Sequence, residues 1–402
     1  MLPSMNSELN TCRPMREGWE YRKLGEVCTI ERGGSPRPIT EYITEEENGI
    51  NWIKIGDAVE GSKYIMSTAE KIKPEGMKKS RFVHRGDFIL SNSMSFGKPY
   101  ILGVDGCIHD GWLVIHDNNN TFIKDFLYYY LGSPNIYNEF KRLAVGGVVN
   151  NLNSKLVRGV KVIIPPLSEQ QRIVEELDLL SSIIEKKKEQ LKELDNLAQS
   201  IFYDMFGDPV TNEKGWEVKK LEDISKEKLS YGSGASAIPY DGKIRYIRIT
   251  DISNNGDLNE EKVSASVVDE KYIMNNGDIL FARSGATVGK TYCHNEKNGK
   301  CLYAGYLIRL VPDQNLVKPE YVFSYTKTSY YLSFVKNAQN AVAQPNINAK
   351  QYGNLLICLP PLPLQQLFAS KIEAIEQQKE LVKRSIAEVE TMFNSRMDYY
   401  FN

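Results

Sequence analysis

The chain has 402 residues, a formal net charge of −1 and a hydrophobic content of 42%. This length fits two or three domains, and no apolar run approaches the roughly 20 residues that a membrane-spanning helix needs. The near-neutral charge does not indicate nucleic-acid binding, although a local basic patch would still allow it. The six cysteines form no Cys-x-x-Cys pair, so we expect buried thiols in a cytoplasmic protein.

Residues 1–16 lack the apolar core of a secretory signal and are predicted to be a loose tail. From residue 17 onward the sequence repeats itself at an offset of about 195 residues, and the matching blocks keep their order. The clearest matches are GWEYRKLGEV (18–27) with GWEVKKLEDI (215–224), GDFILSNS (86–93) with GDILFARS (277–284), and NLNSK (151–155) with NINAK (346–350). This ordered repetition predicts a tandem duplication.

Each half predicts the same succession of elements. Short apolar runs bounded by Gly, Pro and Asn predict strands, and an aromatic helix, a Gly/Asn-rich loop, a last strand and a long helix follow. We therefore predict an α+β fold with two β-rich domains, each followed by a long α-helix. The predicted boundaries are a tail over 1–16, a first domain over 17–165, a long helix over 166–206, a linker over 207–214, a second domain over 215–360 and a last helix over 361–402.

The first long helix carries an apolar residue at alternating steps of four and three, with no Pro or Gly inside it, which is the heptad pattern of a coiled coil. Ser168 with Gln171 predicts a capping box at its start, and Gly207 ends it. The same pattern returns in the second half, and a lysine interrupts the middle of each apolar seam, at Lys187 and Lys379. The predicted seam consists of Ile173, Leu177, Leu180, Ile184, Leu191, Leu194, Phe368, Ile372, Ile375, Val382, Ile386 and Val389.

Such a long single-stripe helix needs a partner for its apolar face. We expect the two long helices to pair antiparallel within one chain as a coiled coil. The alternative is that each helix packs only on its own globular half.

Catalytic motifs are weak in this sequence. Residues 284–291, SGATVGKT, resemble a phosphate-binding loop, but Ser284 stands where the first glycine is required and Gly285 comes one residue late. The acidic run 257–262 resembles part of a nuclease triad and has no counterpart in the first half. Neither segment predicts a catalytic site.

The four histidines do not predict a metal site, because no third ligand stands at a suitable spacing from the two His-Asp pairs. The sequence also lacks a Gly-x-Ser-x-Gly elbow and the Asn-Pro-Pro-aromatic motif of adenine methyltransferases. These observations favour a binding module over an enzyme.

Polar residues do recur in loops at matching positions of the two halves. Arg, Lys, Asn and Ser are the residue types that contact base edges and phosphates, although Asn and Ser also stabilise turns on their own. The two predicted domains are slightly basic, with 19 basic and 18 acidic residues over 17–165 and 18 and 15 over 215–360, which weakly favours a nucleic-acid surface. The candidate DNA-binding residues are Lys54, Asn92, Ser93, Lys98, Asn151, Asn153, Lys155, Arg248, Arg283, Ser284, Lys290, Asn346, Asn348 and Lys350.

The repeated blocks resemble the DNA-specificity subunits of type I restriction-modification systems. The resemblance covers residues 17–402 and is carried by GWE-x-x-KL near the start of each half, by Gly-Asp before an apolar run, by NLNSK and NINAK, and by PPL-x-x-QQ before each long helix. It implies two target-recognition domains, each reading one half of a bipartite DNA site. It also implies that the long helices form a scaffold that separates the domains and docks methyltransferase subunits.

The resemblance further implies a non-catalytic chain that binds double-stranded DNA, two methyltransferase (modification) subunits and restriction/translocase subunits, with no membrane involved. S-adenosylmethionine, ATP and Mg²⁺ are expected on those partner subunits. Two features depart from the pattern: the Gly-Asp-Pro after the first helix has no counterpart after the second, and the charge is modest for a DNA-binding protein. The alternative is an enzyme with an unrecognised site, such as a nuclease or a nucleotide-dependent modifier, which turnover by the pure chain would favour.

Overall fold

The chain forms two compact units in a computed structural model. The first unit comprises residues 1–185 and 387–402, and the second comprises residues 186–386. The residues that the structure describes are 16–59, 61–92, 96–144, 152–340 and 346–402. Nearly all of the predicted tail lies outside them, as do Ser93 and Asn151. Over the described residues, no helix is long and apolar enough to cross a membrane.

The described part of the first unit contains twelve strands around a few short helices. The strands are β1 (Glu20–Lys23), β2 (Cys28–Arg32), β3 (Ile43–Thr44), β4 (Ile50–Ile53), β5 (Tyr64–Ile65), β6 (Glu70–Ile72), β7 (Arg81–Val83), β8 (Phe88–Ser91), β9 (Pro99–Leu102), β10 (Gly106–Ile108), β11 (Trp112–Asp117) and β12 (Lys161–Ile164). The helices are α1 (Leu24–Val27), α2 (Lys124–Leu131), α3 (Pro134–Ala144), α4 (Ser154–Gly159) and the first part of α5 (Leu167–Phe206).

Two mixed five-stranded sheets form the first unit, in the orders β3-β6-β4-β10-β7 and β2-β11-β8-β9-β5, and β1 pairs with β12. Every residue of β8 is buried, because both faces of this central strand are covered. Leu90 on one face packs in a core with Phe126 of α2 and Leu177 of α5. Ile89 on the other face packs in a second core with Trp112.

The second unit repeats this plan with shorter strands. The strands are β13 (Glu217–Lys220), β14 (Ser230–Tyr231), β15 (Ala237–Pro239), β16 (Arg245–Ile247), β17 (Val263–Ala265), β18 (Ile279–Ala282), β19 (Thr291–Cys293), β20 (Cys301–Tyr303), β21 (Leu307–Leu310) and β22 (Leu356–Leu359). The helices are the last part of α5, α6 (Pro319–Tyr325), α7 (Ser329–Asn340), α8 (Ala349–Gly353) and most of α9 (Leu362–Phe401). The sheet β14-β21-β18-β19 and the pairs β13-β22 and β16-β20 have the same order as β2-β11-β8-β9, β1-β12 and β4-β10 of the first unit.

The duplication extends to individual side chains. Gln170, near the start of α5, is fully buried; its Oε1 accepts the Ile123 N–H at 2.8 Å, and its Nε2 donates to the carbonyls of Thr121 and Pro165, both at 2.9 Å. Gln365 makes the equivalent three hydrogen bonds near the start of α9, with Lys318, Leu316 and Pro360. Each buried amide therefore joins the start of a long helix to the globular part of its own unit.

Both predicted long helices are present as α5 and α9, and they contact each other within each unit. In the first unit, Arg396 Nη2 donates to Glu176 Oε2 at 2.9 Å, and the Tyr400 hydroxyl donates to the same oxygen at 2.5 Å. In the second unit, the ring centroids of Phe206 and Phe368 lie 5.1 Å apart. Residues near the start of one helix thus meet residues near the end of the other.

The interrupting lysine of the second seam has carboxylate partners. Lys379 is 8% exposed, and its Nζ lies 2.8 Å from Asp195 and 2.9 Å from Glu376. Burial alone would lower the pKa of Lys379, but the hydrogen bonds to these two carboxylates raise it. The ammonium therefore stays charged inside the helix contact.

The residues of the predicted seam differ in burial along the helices. Those that are buried are Ile173, Leu177, Leu180, Phe368, Ile375, Val382 and Ile386, and those that are half-buried are Ile184, Leu191, Leu194, Ile372 and Val389. Ile173 and Phe368 belong to the cores of their globular parts, so the helices pack on those parts as well as on each other.

Leu177 and Leu179 allow a matched test of the first helix. Leu177→Asp would bury an unpaired charge and should lower the free energy of unfolding by about 3–5 kcal/mol. Leu179, which is 61% exposed, should tolerate Asp at a cost below about 0.5 kcal/mol. Urea unfolding of the full chain followed by circular dichroism measures both, and equal losses would contradict the burial of Leu177.

A second lysine is held by a carbonyl, a hydroxyl and an aromatic ring. Lys327 Nζ donates to the Asn254 carbonyl at 3.1 Å and to Thr291 Oγ1 at 3.2 Å, and it lies 4.7 Å from the centre of the Phe323 ring. Burial lowers the pKa of Lys327 to about 8, and the charge of Asp257 offsets only part of this effect. The unfolded chain therefore binds more protons than the folded chain between about pH 8 and pH 10.5.

This difference predicts a pH dependence of stability. The contribution of Lys327 to the free energy of unfolding should rise by about 2 kcal/mol between pH 7 and pH 9.5, since one pKa unit corresponds to about 1.4 kcal/mol. Subtracting the stability of Lys327→Met at each pH removes the titration of cysteines and tyrosines, which both proteins share. A difference between the two proteins that stays constant with pH would contradict the lowered pKa.

Candidate nucleic-acid interface

Two of the candidate residues, Lys54 and Arg248, occupy the same place in the two units and are bonded within the fold. Each precedes a single turn of 3-10 helix, and its N–H donates to an aspartate three residues later, at 2.7 Å for Lys54 and 2.8 Å for Arg248. The Lys54 ammonium pairs with Glu70. The Arg248 guanidinium donates to both oxygens of Asp251, which is 1% exposed.

The asparagine candidates mostly stabilise turns. Asn153 and Asn348 are the N-caps of α4 and α8, and their Oδ1 atoms accept the N–H groups three residues later at 3.0 and 2.9 Å. Asn92 is 2% exposed, and its Nδ2 donates to the Asp110 carbonyl at 3.1 Å. Turn stability accounts for Asn153 and Asn348 without a ligand. The buried Oδ1 of Asn92 has no hydrogen-bond partner among the described residues.

The lysine candidates differ in exposure. Lys98 is half-buried, and Lys290 Nζ donates to the Ile252 carbonyl at 3.1 Å. Lys155 and Lys350 are exposed on the short helices α4 and α8. The last two are therefore the lysine candidates accessible to a large ligand.

In the second unit the structure brings four candidates together beside an aromatic ring. Arg283 directly follows β18, its guanidinium carbon lies 4.7 Å from the centre of the Tyr231 ring, and its Nε donates to Asn346 Oδ1 at 3.2 Å. Ser284 pairs with Asn346 through the backbone, and the exposed Lys350 lies four residues further along the chain. We call Tyr231, Arg283, Ser284, Asn346 and Lys350 the Arg283 patch.

The same location in the first unit can be identified from backbone hydrogen bonds. Arg283 N–H donates to the Tyr306 carbonyl at 3.1 Å, and its carbonyl accepts the Ile347 N–H at 2.8 Å. Asn92 makes the equivalent bonds with Gly111 at 2.9 Å and Leu152 at 3.0 Å. Asn92 therefore takes the place of Arg283, and Arg32 at the end of β2 takes the place of Tyr231 at the end of β14.

The first unit carries its arginines on different segments around this location. Arg32 Nε donates to the Asp110 carbonyl at 2.9 Å, and the Asp110 carboxylate lies 3.8 Å from Arg32 and 3.7 Å from Arg37. The Arg37 side chain is 83% exposed. Arg81 Nε donates to the Arg32 carbonyl at 3.0 Å. We call Arg32, Arg37, Arg81 and Asp110 the Arg32 patch.

Asp110 stays ionised at the centre of the Arg32 patch. Partial burial opposes ionisation, but the hydrogen bond from Ser35 at 2.7 Å and the charges of His109 and Arg32 lower the pKa of Asp110.

Comparison of the two halves of the sequence missed this patch, because it selected residues present at matching positions and the segment GGSPRP (33–38) has no matching block. The signal was present in that unmatched segment, where an arginine follows Gly-Gly-Ser-Pro directly after a strand.

The part of the chain that the structure describes contains neither a cluster of metal ligands nor an activated cysteine thiol. No cluster of three or more His, Cys, Asp or Glu residues there has the geometry of a metal site. Burial raises the pKa of the Cys28 thiol to about 12, aided by the charge of Asp117, and that of Cys301 to about 11. These two thiols are therefore protonated at neutral pH and are poor nucleophiles.

Comparison with known proteins identifies the family of the chain. The model of the type I restriction modification DNA specificity domain matches residues 16–195 and again residues 213–391. The chain belongs to this family. It is a type I specificity subunit with two specificity domains, as the resemblance predicted.

Curated relatives match nearly the full length of this specificity subunit. The type I restriction enzyme MjaIX specificity subunit of Methanocaldococcus jannaschii is 23% identical over 380 residues, which cover 89% of this chain and 86% of the relative. The EcoKI specificity subunit of Escherichia coli K12 is 19% identical over 404 residues, which cover 92% of this chain and 84% of the relative.

Solved structures show the same fold. A chain from a study of complex assembly and conformational transition of the type I restriction-modification system aligns with a TM-score of 0.58 and 20% identity, covering 97% of this chain and 99% of that chain. The S subunit from M. genitalium aligns with a TM-score of 0.54 and 14% identity, covering 100% of this chain and 98% of that chain. The mixed α+β architecture with two long helices is thus shared with other specificity subunits.

Arg248 and Arg283 should differ in what they contribute to stability. Arg248→Ala leaves the buried Asp251 without its ion-pair partner, so we expect a loss of about 2–3 kcal/mol in the free energy of unfolding. Arg283→Ala removes a half-buried side chain that has no buried ionic partner and should cost less than about 1 kcal/mol. Urea titrations of the two variants measure the difference, and a larger loss for Arg283→Ala would mean that Arg283 mainly supports the fold.

Proposed function

We propose that this specificity subunit is the sequence-reading component of a type I restriction-modification complex, and that each of its domains reads one half of a bipartite site in double-stranded DNA. The observation that carries the proposal is the pair of patches. The Arg32 and Arg283 patches occupy equivalent positions of a duplicated framework and yet differ in nearly every side chain. Two domains with a common fold and different surface chemistry are suited to two different half-sites.

The composition of the patches suits base edges as well as phosphates. An arginine guanidinium presents parallel N–H donors that match the O6 and N7 acceptors of guanine, and an asparagine amide matches the N6 and N7 groups of adenine. Lys155 and Lys350 are exposed at the same place in each domain and suit phosphate contacts, which fix the register of a protein on DNA.

We also propose that α5 and α9 form an antiparallel coiled coil that docks two methyltransferase subunits. The contacts of Glu176 with Arg396 and of Phe206 with Phe368 support the antiparallel direction. Large apolar side chains remain exposed on both helices, and in this proposal the methyltransferase subunits cover them. These side chains are Leu179, Leu197, Leu367, Leu381 and Met392.

In this proposal the chain itself is not catalytic. Methyltransferase subunits would bind S-adenosylmethionine, and restriction/translocase subunits would bind ATP and Mg²⁺. The specificity subunit would supply the choice of DNA sequence and hold these partners on it.

A domain replacement tests the assignment of one half-site to each domain. We expect the complex of wild-type chain and methyltransferase subunits to methylate a bipartite motif with two different halves. Replacing residues 215–360 by a second copy of residues 17–165 should give a motif whose two halves have the same sequence, because both would be read by the same patch. Sequencing of methylated bases in a DNA library with randomised half-sites measures both motifs.

The wild-type complex, prepared in parallel, is the control for assembly and activity. An active replacement complex that keeps the original second half-site would contradict the assignment. Methylation, cleavage or ATP hydrolysis by the purified chain alone would contradict the non-catalytic role.

A further inference from the structure

The second domain contains few arginines, and in the described residues all but one donate to a carboxylate or to several oxygens of one loop. Arg245 donates to the oxygens of Asn259 at 2.7 and 2.9 Å. Arg248 pairs with Asp251, and Arg309 pairs with Glu227 at 3.1 Å. Between residues 215 and 360 the arginines are Arg245, Arg248, Arg283 and Arg309. Among the described residues, Arg283 has no carboxylate within ion-pair distance, so its charge is available to a ligand.

The Arg283 guanidinium is nevertheless held in one orientation. Its Nε donor is occupied by Asn346 Oδ1, and its central carbon lies over the Tyr231 ring, 4.7 Å from the ring centre. Within the described part of the chain, its Nη1 and Nη2 groups have no acceptor. The two donors at the end of the side chain are therefore presented together, while the third is used to fix the group.

Tyr231 is itself fixed at both ends. Its backbone pairs with Ile308 in the sheet, and its hydroxyl accepts the N–H of Ala349, the first residue of α8, at 3.1 Å. Tyr231 is still 41% exposed, so a ligand can approach the guanidinium above its ring. An arginine that is held in this way loses less side-chain entropy on binding than a flexible one.

We infer that Tyr231 is a positioning residue, which holds Arg283 so that its Nη1 and Nη2 groups donate to O6 and N7 of one guanine in the major groove of DNA. This inference rests on the proposed function and deepens it, because it names the base and the two side chains for one position of the second half-site. A guanine edge fits better than a phosphate, because a guanidinium with a fixed plane selects acceptors that lie in one plane.

The experiment uses the full chain assembled with methyltransferase subunits and DNA duplexes that carry its methylated motif. Each guanine of the second half-site is replaced in turn by 7-deazaguanine, which lacks the N7 acceptor. For the wild-type complex, we expect about a tenfold or larger loss of affinity at one guanine. For Arg283→Ala, the same replacement should cause no further loss at that guanine, whereas replacements in the first half-site should affect both complexes equally.

Variants of Tyr231 test the positioning role through the same coupling, that is, the difference in affinity between duplexes with guanine and with 7-deazaguanine at the position that Arg283 reads. Tyr231→Leu removes the ring and should abolish most of the difference between guanine and 7-deazaguanine at that position. Tyr231→Phe keeps the stacking ring and should retain most of it. Tyr306→Leu is the matched control, since this 62% exposed side chain lies on the adjacent loop and should leave the coupling unchanged. A merely structural role of Tyr231 would weaken binding to all duplexes alike.

Several results would overturn the inference and leave the proposed function intact. One is a second half-site without guanine, and another is an equal loss of affinity for wild type and Arg283→Ala on 7-deazaguanine replacement at every guanine. A third is a Tyr231→Leu complex that still distinguishes guanine from 7-deazaguanine as the wild type does. The last is an Arg283→Ala complex that loses affinity for all sequences alike and has a shallower salt dependence, which would indicate a phosphate contact. A complex that assembles but binds all DNA sequences equally would instead contradict the proposed function.

Discussion

The burial of one glutamine amide at the start of each long helix is the interaction on which the architecture depends. Gln170 and Gln365 are fully buried, and each side chain makes hydrogen bonds to three backbone groups of the adjoining globular part. A buried amide without partners would cost several kcal/mol, so the helix start and the loop that receives it form only together. The Pro-Pro-Leu segment before each glutamine supplies one acceptor of this contact, the carbonyl of Pro165 or Pro360.

This framework allows the surface loops to diverge. The backbone hydrogen bonds around Asn92 and Arg283 are the same in both units, and so are the paired strands on either side. Because backbone groups carry these bonds, the side chain at each position can change without loss of the fold. The two patches therefore differ where the framework does not constrain them, as the proposed reading of two half-sites requires.

The long helices, the duplication and the α+β fold could be predicted from the sequence because each leaves a regular pattern: a heptad for the helices and ordered blocks for the duplication. The candidate site could be predicted only in part. Selection of residues common to both halves favours residues that stabilise both halves, such as the capping residues Asn153 and Asn348 or Arg248 beside Asp251. Arg37 and Tyr231 escaped it, because neither lies in a block of matching sequence.

The two patches orient their guanidinium groups by different physical means. In the second unit an aromatic face and an amide oxygen hold Arg283, and neither carries a charge. In the first unit the ionised Asp110 lies beside Arg32 and Arg37. A carboxylate at this place repels phosphate and accepts hydrogen bonds from base amino groups such as N4 of cytosine, so it favours approach by a base edge. The Arg32 patch thus offers donors and acceptors together, whereas the guanidinium of the Arg283 patch offers donors alone, and under the proposed function this difference would suit the two domains to different bases.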